Sequence, residues 1–161
     1  MKAVPLKELK QELGAISNQE LQELCLKLSR FKKENKELLT YLLFKSSDED
    51  AYIQSIKNYM DEQFKIINTK SYFYIRKSIR KILTNTKKYI RYSQKKETEV
   101  ELLLYFCEKL KNFSPSIKNS QQLINVYNRQ LILAKKIVDT LHEDLQYDYK
   151  LIMSELQDNY Y

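Results

Sequence analysis

A chain of 161 residues with one glycine, Gly14, and two prolines, Pro5 and Pro115, has very few places to turn sharply. Ordinary proteins use roughly 7% glycine and 5% proline. Sandwiches, barrels and hairpin-rich sheets draw on those residues for the backbone angles of their turns. That scarcity leaves long helices joined by short polar connections. The sequence therefore predicts an all-α fold of about seven helices, arranged as a helical bundle or a short stacked helical-hairpin array. It reads as one domain over 1–161, with an N-terminal helical hairpin region at 1–45 and a main helical body at 46–161. The length suffices for a substantial hydrophobic core.

The helix signals run in order. Pro5 suits a first helical position, because its missing N–H would be unpaired there anyway. Gly14 reads as the stop of that helix, in a left-handed conformation. "SNQE" (17–20) is a capping box, Ser17 with Glu20, ahead of Leu21, Leu24, Cys25 and Leu28 at helical spacing. A third helix covers about 33–44, and the acids of "SSDED" (46–50) open a fourth that carries Ile53, Ile56, Met60 and Phe64. The fifth spans about 70–93. The sixth, about 97–113, contains "VELLLYFCEKL", apolar on nearly every side, and is expected at the centre of the core. "NFSPSIKNS" (112–120) is a loop. The pattern from Gln121 to Leu156 is helical throughout. One straight helix of that length would reach about 54 Å, against a radius of gyration of about 15 Å for a compact domain of this size. A break is expected near His142–Tyr149.

Charge is distributed unevenly. The formal net charge is +7, from 28 Lys and Arg against 21 Asp and Glu. Residues 63–96 hold 11 of the cations and no anion, which leaves 17 cations against 21 anions, a net of −4, everywhere else. On a helical wheel Arg76, Lys77, Arg80, Lys87, Lys88 and Arg91 fall on one side, within an arc of roughly 140°, opposite Ile75, Ile79, Ile82 and Ile90. These six residues are the candidate polyanion-binding set. Arginine grips phosphate through a planar fork, and three of the five arginines lie here. Tyr72, Tyr74, Tyr89 and Tyr92 border the basic side and could stack on bases, although packing is the commoner role of such rings. A competing reading is a solvated or internally neutralised face. Residues 137–161 hold Asp139, Glu143, Asp144, Asp148, Glu155 and Asp158 against Lys150 alone, and could cover the basic helix.

Other chemistry finds little support. His142 is the only histidine and has no nucleophile motif beside it. A carboxylate–histidine metal pair with Asp139 would need a second such pair. One glycine cannot build a phosphate-cradling loop. No catalytic, cofactor-binding or metal-ligating residue is assigned. Cys25 and Cys107 are far apart in apolar helical runs and are expected to be buried, reduced thiols. The N-terminus lacks an apolar signal core, and the longest unbroken apolar run is "LLLYFC" (102–107). A cytoplasmic protein that avoids membranes is expected.

"LKELKQELGAISNQELQELCLKL" (6–28) is faintly similar to the SAP motif, a helix–extended–helix DNA-binding module. Here the connection is shorter and the Gly–x–Lys before the second helix is missing. More broadly, "LKELKQEL…SNQELQELCLKL…ENKELLTYLL", "RKSIRKI" and "VELLLYFCEKL" together resemble an uncharacterised all-helical domain-of-unknown-function family of Bacteroidetes. That resemblance implies an α-helical fold and a bacterial cytosolic setting, and it carries no active site. The chain departs from the family pattern at "LHEDLQYDY" (141–149), where the family shows glycine and aromatics. The leading functional reading is a non-catalytic interaction or scaffold domain with a protein partner. The second is nucleic-acid binding through 70–96, and an enzyme ranks third.

Overall fold

The computed structural model describes residues 1–157. Among them the chain forms eight α-helices and one short 3-10 turn, with no strand. Two compact units divide it, Met1–Phe44 and Lys45–Tyr161.

The first unit holds α1 (Leu6–Ala15), α2 (Asn18–Phe31) and α3 (Lys33–Phe44). The capping box at the start of α2 is complete: Glu20 N–H donates to Ser17 Oγ at 3.2 Å, and Ser17 N–H to Glu20 Oε2 at 2.8 Å. Hydrogen bonding by the Ser17 backbone N–H, and next by its side chain, holds the Glu20 carboxyl below its usual value. Lys32 alone, extended at φ −142°, turns the chain from α2 into α3. Gly14 departs from expectation. It lies inside α1, which continues to Ala15 and leaves through extended Ile16. Its φ is not positive, and a Cβ there would meet nothing within 4 Å. The change of direction falls on Ile16 and the Ser17 cap, so no left-handed residue is needed. Cys25 is likewise exposed rather than buried, because α1 and α2 bury no residue at all.

The second unit is built around α6 (Lys96–Lys111), which packs against α4 (Glu49–Lys65), α5 (Tyr72–Ser93), α7 (Gln121–Val138) and α8 (Glu143–Gln157). Val100, Leu102, Leu103, Phe106, Cys107 and Leu110 of α6 are fully buried. With Thr98 and Leu104 its buried residues sweep an arc of about 240°. The remaining strip of Glu101, Tyr105 and Glu108 stays accessible, so α6 is central but not apolar all round. Its acids Glu97 and Glu99 open it and Lys109 and Lys111 close it, each complementing the helix dipole.

The break after α7 falls at residues 139–142, slightly earlier than the pattern suggested. Tyr127 of α7 donates its hydroxyl to Leu156 O at 2.8 Å, and Lys111 Nζ reaches Glu155 O at 2.5 Å; these hold α8 against α6 and α7. The loop 112–120 contains the 3-10 turn Ile117–Asn119, with Ile117 buried as its anchor. The described helices include none long and apolar enough to cross a membrane.

Candidate polyanion-binding face

α5 is a long amphipathic helix whose two sides have separate tasks. Ile75, Ile79, Ile82, Thr86 and Ile90 are buried against the unit's core. The weak helix formers at 84–86 do not interrupt it: Thr84 Oγ1 bonds back to Arg80 O at 2.9 Å and Thr86 Oγ1 to Ile82 O at 3.0 Å. Asn85 adds a tertiary tie, donating to Tyr59 Oη at 2.8 Å. The helix ends at Gln94, left-handed at φ 56°, whose N–H caps Ile90 O at 3.0 Å. The first turn carries no acid and no side-chain cap, which leaves the positive end of the helix dipole uncompensated.

The cations occupy the other side. Lys77, Arg80 and Arg91 are exposed, and Arg76 and Lys87 half-buried. From Arg76 to Arg91 the row extends about 22 Å along the helix. Arg76, Lys77 and Arg80 come together around a recess of about 360 Å³, with Phe73 and, from α7, Gln122. Lys87 and Arg91 continue the row two turns further on. Lys88 instead lies over the Tyr89 ring, 4.7 Å from its centroid.

The acidic C-terminal segment does not neutralise this row among the described residues. α8 packs on α6 and α7. Asp139 is 3.9 Å from Lys150, and Asp144 is 3.5 Å from His142. Asp148 and Glu155 line a cleft of about 650 Å³ between α4, α6 and α8. Arg76, Lys77, Arg80, Lys87 and Arg91 make no ion pair or side-chain hydrogen bond with any described residue. Asp158 lies outside the described residues. At the end of the basic stretch Lys95 does find an acid, Glu49 of α4, at 2.9 Å; Glu49 also accepts from Ser93 and from Thr98.

The four tyrosines divide. Tyr72 donates to Ser116 O at 2.8 Å, Tyr89 packs edge-on against Tyr59, and Tyr92 packs against Tyr89, all as packing groups. Tyr74 stays exposed and meets Phe73 edge-on, with ring centroids 5.5 Å apart. Phe73 escaped the sequence reading. The signal was present, since the same wheel puts it roughly 60° from Arg76, in the middle of the basic arc.

The cleft between α4, α6 and α8 offers no comparable chemistry. Lys57 and Glu101 pair across it at 2.6 Å. Beside it, Asp61 accepts from Tyr105 and Lys109, each at 2.8 Å. Burial pushes the Asp61 carboxyl up, but hydrogen bonds from Lys109 and Tyr105 and the charges of Lys109 and Lys65 outweigh it and leave the group below its ordinary value. No three His, Cys, Asp or Glu side chains gather as a metal site among the described residues. No family model matches the chain, and comparison with curated proteins and with solved structures returns no match.

Proposed function

We propose that the second unit binds nucleic acid through its phosphate backbone, along the exposed side of α5. One observation carries this reading: five cations in a row, three of them arginines, have no anionic partner within the described fold. An internally neutralised face would show them paired. Such a row releases condensed counterions when phosphates replace them, so binding weakens steeply with salt. The log–log slope is about −0.9 per phosphate contact on duplex DNA and about −0.7 on a single strand.

The test reverses Arg76, Arg80, Lys87 and Arg91 to Glu together and follows gel shifts over a salt series, alongside thermal melts. Binding is expected to vanish while helix content and melting temperature hold, since Glu is also a good helix former and no pair among the described residues is broken. A wild type that binds nothing at low salt, with a variant that melts lower, would show the cations to be matched internally and end the proposal.

A second reading, docking of a protein partner, draws on the first unit. Leu21, Leu24 and Leu28 of α2 share a helical stripe and remain exposed. A photoreactive side chain at position 24 that captures nothing beyond one at Lys27 removes that reading.

A further inference from the structure

The recess at the first turns of α5 offers more than charge. Phe73 is 63% exposed, an aromatic ring standing among Arg76, Lys77 and Arg80. A phenyl ring gives nothing to a phosphate. It gains by covering another flat apolar face, and stacking of a nucleobase on an aromatic side chain does this for any base. In a duplex those faces are already stacked on one another, and a protein meets only groove edges and backbone. Unpaired strands present them. The geometry points to single-stranded nucleic acid as the ligand of this face, with an unpaired base stacked on Phe73 and the neighbouring phosphates on Arg76, Lys77 and Arg80. This rests on the reading of α5 as a phosphate-binding face and adds the form of nucleic acid it takes.

Two further features agree. Gln122 lines the recess from α7, and its carboxamide carries both a donor and an acceptor for a base edge. An anionic lipid surface would also attract the cations. A helix lying in a membrane interface, however, buries a broad apolar side in the lipid. α5 has placed its apolar side in the protein core and keeps only Phe73 and Tyr74 as large exposed hydrophobic residues.

The experiment uses the full chain. The sequence contains no tryptophan, so Phe73→Trp installs a single indole in the recess. Three probes are titrated at one salt concentration: a short single strand of mixed adenine and cytosine, the same sequence as a duplex, and vesicles of phosphatidylserine in phosphatidylcholine. The single strand is expected to bind tightest and to quench the indole, and the duplex to bind more weakly without quenching. Phe73→Ala should weaken the single strand by about 5- to 150-fold, the span of one base–aromatic stack, and leave duplex affinity unchanged. Phe73→Tyr should restore most of the loss. Should Phe73→Ala also disturb folding, quenching in Phe73→Trp still decides. Equal affinity for strand and duplex, with no quenching and no effect of Phe73→Ala, overturns the single-strand inference while the phosphate reading stands. No binding of either nucleic acid, or a preference for vesicles over both, overturns the two together.

Discussion

α5 and α6 pack side by side in the second unit and treat charge in opposite ways. On α6 two of the charged groups are matched by neighbours: Glu101 meets Lys57 of α4 at 2.6 Å, and Lys109 meets Asp61 of α4 at 2.8 Å. Pairs of this exposure contribute only about 0–1 kcal/mol each, but they confine those charges within the fold. On α5 the row Arg76, Lys77, Arg80, Lys87 and Arg91 has no such partner among the described residues. Five of the 11 cations of residues 63–96 are thus left unmatched along one helix face. Charge tied to a neighbour serves the fold, and charge left unmatched along about 22 Å of helix remains available to a ligand.

The largest expected contrast is in thiol reactivity. Cys107 of α6 is fully buried, and burial pushes its thiol far above the ordinary range, whereas Cys25 on α2 is exposed. Cys107 can react only when α6 opens, and opening constants of folded domains make that at least about a thousandfold slower than reaction of an open thiol. Stopped alkylation with mass spectrometry of the two peptides checks this. Equal rates would remove α6 from the interior and dissolve the comparison.

Next comes packing. Leu103→Ala opens a cavity in the middle of α6, where the side chain is fully buried, and should cost about 2–5 kcal/mol in a denaturant melt. Arg80→Ala on the outer face of α5 should change stability by no more than about 0.5 kcal/mol, because the side chain holds no partner among the described residues. If Arg80→Ala proved as costly as Leu103→Ala, the charge on α5 would belong to the fold after all.

Much of this contrast was legible in the sequence. Apolar spacing placed Ile75, Ile79 and Ile90 inward and the cations outward, and the dense run in 97–113 marked the central helix. Those signals are local and periodic, so one helix suffices to read them. Gly14 and Cys25 misled for a shared reason. Each was interpreted by its residue type, but its setting depends on what packs beside α1 and α2, which spacing does not encode. The fate of the acidic segment was illegible too. Only the docking of α8 on α6 and α7, fixed by bonds such as Tyr127 to Leu156 O, decides which charges it meets. Phe73 was a different failure: its angle was readable, but a lone apolar residue on a polar arc attracts no attention until its exposure is known.

The smallest effect tests the matched side of the comparison through pH. Tyr105 of α6 donates to Asp61 at 2.8 Å, and burial, then the Asp61 hydrogen bond, then the charges of Asp61 and Glu108 push its phenol up to about 12. An unfolded tyrosine titrates near 10. Between about pH 10 and pH 12 the folded chain therefore holds a proton that the unfolded chain has released, so stability falls as pH rises through that window. Below about pH 10 the contribution is complete. Asp61 runs the other way: its carboxyl is lowered in the fold, so its contribution is present above the ordinary carboxylate range and is lost as pH falls below it. Tyr105→Phe should cost about 1 kcal/mol near neutrality through the missing hydrogen bond. It should also flatten the alkaline decline, by about 1 kcal/mol or less once solvent screening at this half-buried site is allowed for. Denaturant melts of wild type, Tyr105→Phe and Arg80→Ala across the alkaline range check it. The Arg80→Ala slope should stay close to the wild type, since Arg80 takes no part in the Tyr105–Asp61–Lys109 cluster. An unchanged slope in Tyr105→Phe would mean that the Tyr105–Asp61–Lys109 cluster does not couple charge on α6 to folding.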